Sequence, residues 1–254
     1  MAMLGAIQWQ VQGSVATITL SNPQKMNAMT RAMWRQLREA FQRIQAHRAL
    51  RCVVVQGSGD HFCAGGDISE YPSFRFDAAS LRDFHEEDVW GALQAMLDCP
   101  IPLLALIRGN CMGAGLEIAS ACDLRLAGQG SRFGAPIARL GFPMAPREAD
   151  LVQRAIGTTA TNAMLLAAEI YEAQRLPSGF LTWCLPDEAL EEHVQAVIKR
   201  MAQLSPHAAR LNKAQLRQGA PKLGETPDSA YAYADSPEHR EGIEAFLVKR
   251  AALF

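Results

Sequence analysis

Hydrophobic and polar positions alternate over residues 7–20, with Val15, Thr17 and Thr19 on one side, Ala16, Ile18 and Leu20 on the other, and Gly13-Ser14 as a turn. A period of two around a turn predicts a β-hairpin. The period then lengthens: after Thr30, a candidate N-cap, Met33, Trp34, Leu37, Phe41 and Ile44 recur at helical spacing. Arg51–Gln56 and Leu103–Ile107 read as short buried strands, and Leu124–Ala127 and Arg132–Gly134 as two more. Asp77 is placed to cap one long helix with Leu81, Phe84, Val89, Leu93, Met96 and Leu97 inward, stopped by Pro100 and Pro102. From about residue 147 the pattern is helical almost throughout, broken by Pro206, Pro221 and Pro227. This predicts an α/β protein: a core over residues 1–195 and a C-terminal helical region over 196–254.

The chain of 254 residues is 49% hydrophobic and 20% charged, enough apolar material for a large core. Its formal net charge of −1, with no basic stripe, argues against a nucleic-acid partner. No apolar run of about 18 residues predicts a membrane span. Met1–Ala6 lacks the charged start and apolar core of a signal peptide. The six cysteines contain no C-x-x-C pair, so reduced thiols and a cytoplasmic setting are expected.

The chemistry concentrates in Arg108-Gly109-Asn110-Cys111-Met112-Gly113-Ala114-Gly115-Leu116-Glu117-Ile118. Read after the strand Leu103–Ile107 and before a helix over Leu116–Cys122, this is a glycine-rich strand-to-helix turn. Such a turn leaves N–H groups unpaired at the positive end of a helix dipole, where an oxygen that becomes an anion is stabilised. Glu117 places a carboxylate in the first helical turn. A second glycine-rich segment, Ala64-Gly65-Gly66-Asp67, is either a turn capping a helix through Asp67 or another place where backbone meets ligand.

Four segments together resemble the crotonase, or enoyl-CoA hydratase/isomerase, superfamily: Asn22–Met29, His61–Ile68, Gly109 through Glu117 to Asp123, and Glu241–Arg250. The resemblance implies a spiral of ββα units with a C-terminal helical region that builds homotrimers, possible pairs of which make hexamers. It implies an acyl-CoA substrate and no cofactor or metal, coenzyme A being part of the thioester. By family position the N–H groups of Gly66 and Ala114 would hold the thioester oxygen, and Glu117 would be the acid/base. Lys25, Met26, Ala28, Cys63, Ala64, Asp67, Ile68 and Gly113 would line the substrate groove, and Lys249 would reach the phosphates, unless it is a solvated surface lysine. The helices expected over Ala189–Leu204 and Glu238–Ala251 carry apolar stripes that fit an assembly.

One position departs from the family. Ile137 stands where the second hydratase glutamate falls, and it cannot transfer a proton. Water addition needs two proton-handling groups, whereas moving a proton between carbons needs one. Glu148 and Asp150 are either further acids or, with Arg147, a charged helix start on the surface. His85 either faces substrate or is a half-exposed helix histidine. Three functions stay open: an acyl-CoA hydratase/isomerase using Glu117, a decarboxylase or hydrolase led by Glu148 or Asp150, and a non-catalytic acyl-CoA-binding protein. Other motifs fail. Ile118 replaces the third glycine of a dinucleotide fingerprint, and Val89 replaces the second histidine of H-E-x-x-H.

Overall fold

A computed structural model describes residues 5–177, 179–218 and 226–254. The expectations that touch Met1–Leu4 and Pro221 lie outside the described residues. The hairpin forms as β1 (Ala6–Gln12) and β2 (Val15–Ser21), antiparallel, with Ala16, Ile18 and Leu20 fully buried. Thr30 caps α1 (Arg31–Gln45) by accepting the Met33 N–H, and the predicted apolar stripe is the buried face.

The strands β3 (Cys52–Gly57), β4 (Leu103–Ile107), β6 (Leu124–Gly128) and β9 (Trp183–Leu185) extend β2 in parallel, giving a six-stranded sheet of order β1-β2-β3-β4-β6-β9. Between β4 and β6 in the chain lies β5 (Asn110–Met112). With β7 (Arg132–Gly134) and β8 (Ile170–Glu172) it makes a second, three-stranded sheet. Each turn of the chain therefore visits both sheets and then a helix: β4, β5 and α4 (Ala114–Ala121), then β6, β7 and α5 (Pro146–Ile156). The earlier turns use single bridges in place of a strand, Met29 to Gly66 before α1 and Cys63 to Cys111 after β3. This is the expected ββα spiral. It stacks the connections at residues 25–29, 61–68 and 109–114 on one another.

The central strands have no polar face because both faces are covered. Val53, Val55, Leu103, Ala105 and Ile107 point into the main core with α1 and α3 (Trp90–Asp98). Val54, Leu104, Leu106 and Leu126 meet Leu190, Val194 and Val197 of a later helix.

Several expectations need correction. The helix capped by Asp77 is not uniform: α2 (Ala78–Asp83) passes through a π-helical segment, Phe84–Val89, before α3. Such a widened turn shifts side-chain directions and is frequent at functional sites. The chain after residue 147 is not only helical, since β8 and β9 lie between α6 (Thr158–Leu166) and α7 (Leu190–Ala202). Three residues each are too few to show a period, and their partners are distant in sequence. The glycine-rich stretch is not a direct strand-to-helix turn, because β5 intervenes. A division at 195/196 cuts α7, whose Val194 and Val197 are buried in the same cluster, so α7 belongs to the core.

Beyond α7, α8 (Pro206–Gln218) returns to the core. Lys213 is buried and donates to the Ile101 carbonyl at 2.7 Å while pairing with Asp123 at 2.7 Å. The last helix, α9 (Pro237–Leu247), stops short of the expected Ala251, leaving Lys249 beyond it in a left-handed conformation. Ile243, Phe246, Leu247 and Val248 are exposed there.

Candidate active site

The stacked connections are joined through main chain. The Ala64 N–H donates to the Met26 carbonyl at 3.0 Å, Met29 N–H to Gly65 at 2.8 Å, and Asp67 N–H to Met29 at 2.8 Å. On the other side Met112 N–H donates to Cys63 at 2.9 Å. Asn27, fully buried, anchors the first connection: its amide donates to the Ser58 and His61 carbonyls, and its oxygen accepts from the Asn22 N–H. In the sequence Asn27 is marked only as part of the Asn22–Met29 segment. The signal was its type, a residue able to satisfy several backbone groups at once.

Among the described residues, neither Gly66 nor Ala114 donates its N–H to any acceptor. Both residues line a cavity of about 260 Å³, together with Gly113 and Glu117. Gly113 precedes α4 at φ 47° and ψ −108°, a conformation open to glycine, and so aims the Ala114 N–H out of the β5 ladder. At Gly66 a Cβ would lie 2.2 Å from the Tyr71 hydroxyl, so any side chain there would collide with the cavity wall.

Glu117 sits in the first turn of α4 and faces the cavity. Burial pushes its pKa up to about 8. The charge of Glu148 adds to the rise and that of Arg75 opposes it. Glu148 is not on the surface. It is 2% exposed and accepts a hydrogen bond from His85 Nδ1 at 3.1 Å. His85 in turn lines the cavity from the π-helical segment. Asp150 points away and pairs with Arg154 at 2.9 Å. Ile137 lines the cavity, where it presents only hydrocarbon.

The other expected groove residues divide. Ala64 and Ile68 line the cavity. Lys25 and Met26 are exposed beside it, with Lys25 Nζ held by Asp67 at 2.7 Å and by the Ser69 hydroxyl at 2.7 Å. Asp67 is thereby a clamp: it also caps the turn after it by accepting the Ser69 N–H, and Lys25 and Ser69 hold its carboxyl below the usual range despite burial. Ala28 and Cys63 are buried behind the cavity wall. Burial raises the Cys63 thiol to about 12, which leaves it inert. Lys249 does not line the cavity of the single chain. Phe84 and Phe142 line the cavity, Phe74 is buried against Phe84, and Phe76 is exposed. Tyr71 and Arg75 also line the cavity, and no motif marked them.

With this geometry in view, comparison with known proteins gives one answer. Residues 10–254 match the family model described as enoyl-CoA hydratase/isomerase. A 2,3-dehydroadipyl-CoA hydratase of Escherichia coli is 30% identical over 249 residues, 96% of each chain. The crystal structure of an enoyl-CoA hydratase/carnithine racemase from Magnetospirillum magneticum superposes with a TM-score of 0.92 at 32% identity, covering 99% of this chain and 96% of that one. Pseudomonas aeruginosa AtuE gives 0.89 at 30% identity, with 97% and 98% covered. The chain belongs to the enoyl-CoA hydratase/isomerase family, and it is an acyl-CoA thioester enzyme of the crotonase type. Among the described residues no helix is long and apolar enough to cross a membrane.

Proposed function

We propose that this enzyme moves protons at the α-carbon of an enoyl-CoA thioester, with the Gly66 and Ala114 N–H groups as its oxyanion hole and Glu117 as the proton carrier. The observation behind this reading is that two unpaired N–H groups and one carboxylate share a single cavity. As the α-proton of a 3-enoyl thioester leaves for the Glu117 carboxylate, the C–H electron pair forms a double bond between the α-carbon and the carbonyl carbon, and the carbonyl electrons move onto oxygen. The two N–H donors stabilise that oxygen without reorganising. Collapse of the enolate with protonation at the γ-carbon completes a double-bond migration. No cofactor is needed.

A pKa near 8 suits this task. At neutral pH Glu117 holds a proton much of the time, and a modest fall releases it, so it can both give and take. The His85–Glu148 pair, its imidazole on the cavity wall, favours a second reading, hydration. A water attacking the β-carbon would lose its proton to His85, with Glu148 steadying the resulting imidazolium, while protonated Glu117 supplies the α-carbon. The missing glutamate at Ile137 would then be replaced from another direction.

The coenzyme A handle is assigned to the rim formed by Lys25, Met26, Ala64 and Ile68, with Lys249 as a phosphate contact. The exposed apolar residues of α9 support a homotrimer, or a hexamer of two. A screen of enoyl-CoA thioesters for α-deuterium exchange, double-bond migration, hydration and hydrolysis tests the reading. Exchange that depends on Glu117 is expected. Hydrolysis or decarboxylation without exchange would overturn it.

A further inference from the structure

Glu117, His85 and Glu148 are accounted for by proton transfer, but Arg75 is not. It follows a 3-10 turn, Ile68–Ser73, and its own N–H is tied to the Tyr71 carbonyl at 2.8 Å. Its guanidinium lies 3.8 Å from the centre of the Phe142 ring and 4.3 Å from that of Tyr71. One terminal nitrogen is 3.5 Å from His85 Nε2, at the long limit of a hydrogen bond. Nε is buried with no partner, and Arg75 forms no ion pair among the described residues. It is the one lysine or arginine that lines the cavity there.

Holding a partly buried arginine against aromatic rings, with no carboxylate paired to it, is costly. The Tyr71 phenol, the ring faces and the more distant charges of Glu117 and Glu148 offset only part of that cost. What is missing is a planar, two-oxygen acceptor that matches the guanidinium fork. The cavity wall around it, Tyr71, Phe84, Phe142 and Leu140, is otherwise suited to hydrocarbon. We propose that Arg75 is the specificity residue for a carboxylate at the far end of the acyl chain, so that the site takes CoA monothioesters of dicarboxylic acids in preference to those of simple fatty acids. This rests on the thioester reading above and names its substrate class.

The test compares kcat/KM for migration of 3-hexenedioyl-CoA with 3-hexenoyl-CoA, and for hydration of 2-hexenedioyl-CoA with 2-hexenoyl-CoA, in the native protein, Arg75→Met and Arg75→Lys. In parallel, calorimetry compares glutaryl-CoA and adipyl-CoA with valeryl-CoA. The native protein should favour at least one dicarboxylic substrate by roughly 30-fold or more, since a site built around a polar partner strongly rejects analogues lacking it. Arg75→Met should bring that ratio near one, and Arg75→Lys should restore part of it. The native comparison stands even if a variant fails to fold. A native ratio near one, or a ratio untouched by Arg75→Met, overturns the proposal and leaves Arg75 as a balance for Glu117 and Glu148. Arg75-dependent preference for glutaryl-CoA or adipyl-CoA binding without any turnover would uphold the subsite and remove the proposed reaction.

Discussion

The two sides of the cavity are built by different means. On one side, residues 61–68 and 109–117 present main chain: two N–H groups, glycines that let the loops approach, and a single carboxylate on the helix that follows. On the other, residues 71–89 and 137–148 present side chains, namely Tyr71, Arg75, His85, Ile137 and Phe142, with Glu148 behind. Main-chain donors are indifferent to side-chain identity, so one cradle can serve many acyl groups. In the proposed reaction the side chains decide which acyl group fits and where the second proton goes. Shared chemistry is thus held on one wall and individuality on the other.

Breaking the first wall should be felt by every substrate. Glu117→Gln keeps shape but removes the proton carrier, and α-deuterium exchange should fall by about 10²–10⁴-fold. Thioester binding by calorimetry should change little; intact exchange in this variant would remove Glu117 from the mechanism. Ala114→Pro deletes one N–H at the first turn of α4, where proline is tolerated. A folded variant should lose about 3 kcal/mol of transition-state stabilisation. Unchanged turnover would show that this amide does not touch the reacting oxygen.

Changes to the second wall should separate reactions and substrates. Glu148→Gln should depress hydration, measured by loss of enoyl absorbance, more than α-deuterium exchange. Equal losses would make the His85–Glu148 pair structural rather than a proton carrier. Ile137→Glu should add at most a small gain in hydration, because a carboxylate among apolar neighbours tends to stay protonated and nothing orients it. A large gain would mean that the native protein lacks any second proton group.

A different effect is expected on stability. Glu117 titrates near 8 when folded and at about 4.5 ordinarily, so between these values the folded chain holds a proton that the unfolded chain has lost. Its contribution to stability is complete below pH 4.5 and declines as pH rises through 8. The Tm advantage of Glu117→Gln over the native protein should therefore widen from pH 5 to pH 8 and then level off. A constant difference across that range would show that the native carboxyl is not raised.

How much of this was legible before folding depended on how local the physics was. The hairpin, α1 and its Thr30 cap, the buried strands and the position of Glu117 beside a glycine-rich turn all follow from periods and capping within a few residues. The four motif segments carried the family, and they contain Gly66 and Ala114, which the structure brings to one cavity. What remained hidden depends on contacts across the chain. Strands β5, β8 and β9 are defined by partners rather than by pattern. The π-helical segment places His85 against Glu148, 63 residues away, so that a buried carboxylate is paired with a half-buried imidazole at the cavity. Arg75 had no motif at all, and its meaning comes from Tyr71, Phe142 and His85 closing around it. The sequence by itself determined the scaffold and the main-chain half of the site, because hydrogen-bond geometry and apolar periodicity act locally. Only the tertiary structure decided the side-chain half, because burial, charge and partnership belong to residues brought together from separate turns of the spiral.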